Sequence, residues 1–493
     1  MKDKGYDFTK QESIYAFAKK LIGHTFQDVL DHKVDAFYEG INEDRELPDF
    51  GNQSRKGGLG NLLEEEYFGY KSNSISKADF AEAGVELKAS PYEISKKGKY
   101  RAGERLVLTM ISYTEPVEED FEKSHLWKKC EHLLLIYYRR DRALEDRLLY
   151  GIDYVYLFTP NETDRAIIKK DYQYIIDKIA AGKANELSES DTMYLGASTK
   201  GENAEKSTVP QTYYAPTVVA RKRSFCYKGS YMTFVLNEYI LKNWNALDSI
   251  VQDAKQLENK TFEQVITEKI EKYIGKTDKE LCGSFDREYN NNKAQWTDLV
   301  YRMLGIKNNR AAEFKKANIV VKVIRLEENG KMKESMSFPP FVYKELVQEE
   351  WEDSTLRNYF DETKLFFVVF KRQGDNYVLR GSQLWNMPHN DLEEIVKEGW
   401  NSVVDTIKKG IQFNIKKNGS GVVVENDLPK KSDNEIIHVR PHATKRFYEF
   451  PDGRTIGDAK DRIYSNQLED GTWMPNYSFW INNSYILKHL NVK

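Results

Sequence analysis

The stretch Asp79-Phe-Ala-Glu-Ala-Gly-Val-Glu-Leu-Lys88 decides how this chain is interpreted, because it predicts a strand with reactive side chains on one face. Successive side chains of a β-strand point to opposite faces, so Glu86 and Lys88 project together. The valine and leucine between them point towards a core. Asp79 comes from the preceding segment and brings a second carboxylate towards Glu86.

Two carboxylates and a lysine at one place suit metal-assisted hydrolysis of a phosphodiester. Carboxylate oxygens are hard ligands that hold Mg²⁺, and a lysine helps to activate or orient the attacking water. The alternative interpretation is an ordinary polar strand face, because this short pattern also arises by chance in a chain rich in charged residues.

Composition gives the class of protein. A chain of 493 residues predicts two or three domains, and 40% hydrophobic residues are enough for buried cores. We expect a cytoplasmic protein, since no apolar run is long enough for a membrane span, the charged N-terminus lacks a signal-peptide core, and the three cysteines are widely spaced. A net charge of −3 does not single out a nucleic-acid binder, but the local potential of a cleft matters more than the total.

The two halves of the sequence repeat each other in outline. Three segments of the first half recur in the same order in the second: 15–23 with 268–275, 79–88 with 313–322, and 224–232 with 478–486. Three collinear matches predict a duplicated domain. We expect a catalytic domain over 1–245 and a second domain over 260–493.

The coarse pattern within each half is mixed α and β. Apolar periodicity predicts helices near 11–22, 58–68, 168–181, 263–274, 343–351 and 391–409, and strands near 84–90, 105–112, 132–138, 152–158, 319–326 and 364–371. These lengths predict a central mixed sheet flanked by helices in each half.

The repeat indicates which half of the chain carries the catalytic residues. Where the first half has Asp79, Glu86 and Lys88, the second has Glu313, Val320 and Lys322 in the same places. Valine cannot bind a metal, so the second copy is expected to be a degenerate one with a DNA-binding or regulatory role.

A further carboxylate stands upstream. Glu64 follows a glycine-rich stretch, 51–60, and an apolar Leu62-Leu63 pair. It is either a third ligand of the metal site or an ordinary solvated glutamate. The glycine-rich stretch is not a nucleotide-binding P-loop, because Lys56 precedes Gly57 instead of following a glycine in the Gly-Lys-Ser/Thr order.

These motifs together resemble a known family. The order and spacing of Lys56-Gly57, Leu62-Leu63-Glu64, Asp79-Phe80-Ala81 and Gly84–Lys88 resemble the mismatch-repair nuclease MutH. Longer strings resemble the GATC-cutting type II restriction endonucleases of the Sau3AI type. They are 81–89, 104–108, 334–338, 350–353, 438–442 and 478–483, so the resemblance covers nearly the whole chain.

The resemblance implies two tandem restriction-endonuclease-like domains and one catalytic site. Asp79 and Glu86 match the Mg²⁺-binding carboxylates, Glu64 the accessory carboxylate and Lys88 the catalytic lysine. Lys129 matches a further lysine near the scissile phosphate. The implied reaction is attack of a metal-activated water on phosphorus, which leaves a 5′-phosphate and a 3′-hydroxyl.

The resemblance also implies contacts with DNA. The residues expected to make them are Lys56, Lys200, Arg223, Cys226, Lys228, Arg440 and Trp480. MutH places a tyrosine against the adenine where this chain has Cys226, and a smaller side chain leaves room there. We therefore expect adenine methylation within GATC not to block the enzyme.

The expected function is that of a Mg²⁺-dependent type II restriction endonuclease that cuts duplex DNA before the guanine of GATC. The second domain is expected to bind another copy of the site as an effector. We expect a monomer in solution that forms a homodimer on DNA, because one competent site cannot cut both strands of a palindrome at once. The alternatives are a MutH-like nicking enzyme of repair and a catalytically silent, methylation-sensitive DNA-binding protein.

Overall fold

A computed structural model describes residues 5–34, 50–51, 57–70, 77–95, 98–200, 207–243, 247–290, 292–308, 310–419 and 421–492. The chain divides into two compact units. Unit one comprises Met1–Val265 together with Asn309–Ile319, and unit two comprises Ile266–Asn308 and Val320–Lys493. A short segment of the second half of the sequence, residues 309–319, therefore belongs to unit one.

The described helices run as follows: α1 Gln11–Ala18, α2 Phe26–Leu30, α3 Gly58–Leu62, α4 His125–Cys130, α5 Glu162–Ala180, α6 Gly229–Phe234, α7 Phe262–Glu271, α8 Asp278–Ser284, α9 Lys293–Leu304, α10 Ala312–Lys316, α11 Tyr343–Leu346, α12 Thr355–Glu362, α13 His389–Asp391, α14 Lys397–Lys409 and α15 Asn483–His489. Three single π-helical turns occur at Leu63–Tyr67, Val235–Ile240 and Leu392–Val396.

The described strands are β1 Val85–Ile94, β2 Tyr100–Ala102, β3 Leu106–Met110, β4 His132–Arg139, β5 Ile152–Phe158, β6 Leu195–Thr199, β7 Thr208–Gln211, β8 Ala215–Arg221, β9 Arg223–Tyr227, β10 Ile319–Leu326, β11 Met336–Pro340, β12 Lys364–Gln373, β13 Asn376–Trp385, β14 Phe413–Asn418, β15 Gly421–Asn426, β16 Ile437–Pro441, β17 Tyr448–Glu449, β18 Thr455–Ile456, β19 Ser465–Gln467, β20 Trp473–Pro475 and β21 Tyr477–Ile481.

Unit one is built on a mixed four-stranded sheet in the order β2-β1-β4-β5. Strands β1 and β4 are parallel, and the outer pairs β1–β2 and β4–β5 are antiparallel. A second, three-stranded sheet has the order β3-β9-β6, with antiparallel pairs. The mixed α/β class predicted from the sequence is confirmed.

The core of unit one lies between the central sheet and the N-terminal helices. Strand β4 contributes Leu134 and Ile136, both fully buried, and β1 contributes Val85 and Leu87. Apolar side chains of α1, α2 and α3 cover this face of the sheet. Burial of Val85 and Leu87 fixes the register of β1, and a shift by one residue would turn Glu86 into the core.

Unit two contains two three-stranded sheets, in the orders β10-β12-β13 and β11-β21-β16. Strand β12 is buried along most of its length, and helix α14 packs Trp400, Val403 and Val404 into the same core. Unit two also holds the hairpin β14–β15 and a small four-stranded sheet, β18-β17-β20-β19.

The two units share local details at the places where the sequence repeats. Gly23 and Gly275 both have φ +88°, and each amide donates a hydrogen bond to the sheet of its own unit, on β5 or β13. Two residues on, Thr25 and Thr277 each begin a helix with a reciprocal capping box. Strands β9 and β21, which contain the third repeated segment, both lie in the middle of three-stranded sheets.

Most predicted elements are present, and the bounds of some differ. The helix predicted over 343–351 ends at Leu346, because Ser354 caps a separate helix, α12, after a 3₁₀ turn at Trp351–Asp353. The helix predicted over 168–181 begins earlier, at Glu162, where the side chain of Asn161 caps its first turn.

Candidate active site

A tight turn places Asp79 beside Glu86. Phe80 and Val85 form an antiparallel bridge closed by two hydrogen bonds of 2.9 and 3.2 Å between their main chains. Gly84 makes the turn possible with φ +66°, a left-handed conformation that glycine adopts without steric cost. In this register Asp79, the residue before Phe80, faces Glu86, the residue after Val85. Asp79 Oδ2 accepts a 2.8 Å hydrogen bond from the amide of Leu87.

Glu86 is the centre of the cluster. Its side chain is 2% exposed, and its Oε1 accepts from Lys88 Nζ at 2.7 Å and from Lys129 Nζ at 3.3 Å. Lys88 reaches it because residues two apart on β1 share a face, as predicted. Lys129 reaches it from the last turn of α4. The structure therefore brings Lys129, 43 positions away in the sequence, to the pair Glu86 and Lys88.

Glu64 lies on the π-helical turn Leu63–Tyr67. The widened turn is closed by the amide of Phe68, which donates to Leu63 O at 2.9 Å, and by the amide of Tyr70, which donates to Glu64 O at 3.0 Å. π-Bulges of this kind frequently occur at functional sites.

The carboxylates influence one another electrostatically. Burial, followed by the charge of Asp79, raises the pKa of Glu64 to about 7, while Lys88 opposes the shift. Burial, followed by the charge of Glu86, raises the pKa of Asp79 to about 6, again against Lys88. Perturbed carboxyl groups that raise each other's pKa values are a common mark of active sites.

The donor set fits a hard cation. Glu86 Oε2 is buried and accepts no hydrogen bond, so one ligand oxygen is desolvated and has no partner in the described chain. Within the described residues no three His, Cys, Asp or Glu side chains are gathered closely enough to hold a metal ion as they stand. Asp79, Glu86 and Glu64 would hold it, and the raised pKa values of Asp79 and Glu64 are those expected of carboxylates beside other negative charges that a cation would neutralise.

The corresponding positions of the second copy hold no such site. The carboxylate of Glu313 accepts hydrogen bonds from the amides of Ile250 and Val251, at 3.1 and 3.0 Å, and from the hydroxyl of Ser249 at 2.7 Å. It is a structural carboxylate of unit one. Lys322 lies on β10, where burial lowers its pKa.

Three of the expected DNA contacts are buried. Arg223 and Lys228 are 3% and 1% exposed, and each donates a hydrogen bond to a main-chain carbonyl, of Ala197 and Thr192 respectively. Cys226 is fully buried in the middle strand of its sheet. Burial speaks against direct contact of these three side chains with DNA in this conformation, and it removes the support for the argument that Cys226 leaves room beside an adenine.

The other expected contacts are placed differently. Arg440 is exposed on β16, and its guanidinium lies 3.6 Å from the ring centroid of Trp480 on the neighbouring strand β21. Lys200 is half-buried just after β6. Lys56 lies outside the described residues.

One polar group of this region, the hydroxyl of Tyr70, could not be recognised from the sequence pattern. The hydroxyl of Tyr70 is buried and forms no hydrogen bond within the described part of the chain, and the charges of Asp79 and Glu64 act on it. A tyrosine after a glycine in a loop carries no recognisable pattern, so only the folded structure reveals its position.

Comparisons with known proteins identify relatives of this chain. The family model of the DNA mismatch repair enzyme MutH matches residues 68–171, a range that includes Asp79, Glu86, Lys88 and Lys129. The type II restriction enzyme Sau3AI of Staphylococcus aureus is 36% identical over 453 residues, which is 86% of this chain and 91% of that protein.

MutH proteins match a smaller part of the chain. The DNA mismatch repair protein MutH of Klebsiella pneumoniae is 25% identical over 47% of this chain and 93% of its own length, and that of Escherichia coli O6:K15:H31 is 24% identical over the same shares. Among the helices that the structure describes, none is long and apolar enough to cross a membrane.

The identity to Sau3AI along most of both chains, together with the MutH match at the carboxylate–lysine cluster, shows that this chain belongs to the MutH-related family of type II restriction enzymes.

Proposed function

We propose that this protein is a Mg²⁺-dependent type II restriction endonuclease that makes double-strand cuts in DNA before the guanine of GATC. The observation that carries the proposal is the convergence on Glu86 of Lys88 and Lys129, beside Asp79. Family membership supports the activity, and the GATC target follows the Sau3AI type. As part of the same proposal we place the protein in the cytoplasm, where its three free cysteines stay reduced.

The side chains have separate tasks in this mechanism. Mg²⁺, when bound, supplies a Lewis acid and an activated water. Asp79, Glu86 and Glu64 would provide its oxygen ligands. Lys88 orients the attacking water, and Lys129 adds positive charge where the phosphorus centre gains negative charge. The water oxygen forms a bond to phosphorus while the bond to the 3′-oxygen breaks, so the products are a 5′-phosphate and a 3′-hydroxyl.

The second unit is proposed to bind a further copy of the site as an effector. The repeated turns and capping boxes of the two units support a duplicated origin, and Val320 in place of the central glutamate supports a loss of chemistry. Arg440, exposed and stacked on Trp480, is the candidate contact with DNA there. A chain with one competent site would cut both strands as a dimer assembled on the DNA.

Digestion of a sequenced plasmid tests the proposal. With Mg²⁺ we expect linear fragments whose 5′-phosphate ends map before the guanine of each GATC, and no cutting with a chelator present. A nicked product would favour the MutH-like alternative. Binding without cleavage at saturating Mg²⁺ would favour a silent DNA-binding protein. Parallel digestion of adenine-methylated DNA tests the expected tolerance of methylation.

A further inference from the structure

The hydroxyl of Tyr70 is a buried polar group that has no hydrogen-bond partner among the residues that the structure describes. Leaving a buried donor unsatisfied lowers the stability of a protein, so such a group calls for an explanation. Another tyrosine of the same aromatic cluster, Tyr6, has a partner for its hydroxyl, which donates to Phe68 O at 2.9 Å.

Two segments that carry proposed metal ligands hold Tyr70 in place. Its amide donates to the carbonyl of Glu64 at 3.0 Å, which ties it to the π-helical turn. Its ring lies edge-on against Phe80, the residue next to Asp79, with centroids 5.3 Å apart. The ring therefore bridges the two segments that carry Glu64 and Asp79.

The charges of the carboxylates act on the hydroxyl of Tyr70. After burial itself, the charge of Asp79 is the largest cause that raises the pKa of Tyr70, and Glu64 and Glu86 contribute in the same direction. Neutral tyrosine is thus the stable form at every physiological pH, and it has a proton to donate.

We propose that Tyr70 is a positioning residue of the metal site: in the metal-loaded enzyme its hydroxyl donates a hydrogen bond to the carboxylate of Asp79 and holds that ligand in place. The second oxygen of Asp79 already accepts from the amide of Leu87, so the two donors together would fix the orientation of the carboxylate. Outer hydrogen bonds of this kind orient metal ligands and raise affinity for the metal. The inference rests on the proposed Mg²⁺-dependent function.

The test is Tyr70→Phe, which removes the hydroxyl and keeps the ring, with Tyr6→Phe as the matched control. Titration calorimetry of the full chain with Mg²⁺ should show about tenfold weaker binding for Tyr70→Phe, the lower end of what loss of an outer ligand contact costs. Without metal its Tm should be equal to or above that of the wild type, because an unsatisfied donor has been removed. Tyr6→Phe should show the reverse, a lower Tm and unchanged Mg²⁺ affinity.

Kinetics provide a second readout. Single-turnover cleavage by Tyr70→Phe should recover the wild-type rate at high Mg²⁺, which separates a metal-positioning role from a role in the chemical step. Unchanged Mg²⁺ affinity in Tyr70→Phe, or a drop in its metal-free Tm like that of Tyr6→Phe, would overturn the inference while the proposed function stands. A wild-type chain that neither binds Mg²⁺ nor cuts DNA would overturn both.

Discussion

The ammonium group of Lys88 lies 2.7 Å from Glu86 Oε1. Both residues come from one strand, two positions apart, and Lys129 approaches the same oxygen from a helix. Both lysines contact one oxygen, and Glu86 Oε2 is buried and has no hydrogen-bond partner among the described residues. The arrangement leaves one desolvated carboxylate oxygen for a metal ion.

Cleavage should depend on pH through Glu64 and Asp79. Their pKa values are raised to about 7 and about 6, so both protonate as the pH falls through that range and lose their capacity to bind a cation. At limiting Mg²⁺ we expect the rate to fall by about tenfold per pH unit below the relevant pKa. Since metal and protons compete for the same oxygens, more Mg²⁺ should move the profile to lower pH. The pKa values of Glu64 and Asp79 both fall between pH 5 and 8. A cleavage rate that stays constant across this range would therefore contradict the assignment.

Asp79→Asn should stabilise the metal-free protein at high pH. A folded-state pKa above the ordinary value of 3.8 means that ionisation costs stability above pH of about 6, and this cost disappears as the pH falls towards 3.8. Asparagine still accepts from the Leu87 amide and carries no charge. Thermal unfolding should show a Tm gain at pH 8, about 2–4 °C for each kcal/mol relieved, which shrinks towards pH 5. A loss of stability at pH 8 would show that Asp79 is mainly structural.

The buried ion pair between Lys316 and Asp164 should be important for the stability of unit one. Lys316 Nζ lies 2.6 Å from Asp164 Oδ1, and the two side chains are 6% and 0% exposed. Lys316→Met leaves a buried carboxylate without its cation, which costs about 3–5 kcal/mol in urea unfolding. Adding Asp164→Asn should restore most of the loss. The exposed pair Lys123–Asp120 is the control, and its loss should leave the urea midpoint nearly unchanged.

The central strand shows how far the sequence alone reaches. The alternation around Glu86 predicts which side chains of β1 face the core, and the structure confirms it. The proximity of Asp79 to Glu86 is also a local feature, since a turn of a few residues links them. Lys129 was recognised only by resemblance, because its approach depends on how α4 packs against the sheet.

The expected DNA contacts near Cys226 show the limit. Strand β9 contains Arg223 and Cys226 and has the polar and aromatic residues of an exposed strand. It is buried at every position, because β3 and β6 pair with both of its edges and other elements cover its faces. Which strand of a sheet is central is a tertiary property that sequence periodicity does not encode.

Arg440 tests the proposed effector role of unit two. Its guanidinium lies over the Trp480 ring, a geometry that leaves its hydrogen-bond donors available to DNA. The wild type should cut a plasmid with two GATC sites faster than a plasmid with one. In Arg440→Ala this ratio should fall towards one while single-turnover cleavage of a saturated short duplex persists. Trp480→Phe, which keeps a ring beneath the guanidinium, should have a milder effect. An unchanged ratio in Arg440→Ala would exclude this residue as the effector contact.

The central claim is that one copy of the repeat performs the chemistry. The matched lysines Lys88 and Lys322 allow the most direct test, which is single-turnover cleavage of a GATC duplex with saturating Mg²⁺ by Lys88→Ala and Lys322→Ala. The account predicts that Lys88→Ala binds the duplex and cuts at least about a hundredfold more slowly, the scale expected when a catalytic group is lost, while Lys322→Ala cuts at the wild-type rate. Equal losses in the two variants, or a Lys88→Ala enzyme that cuts normally, would contradict it.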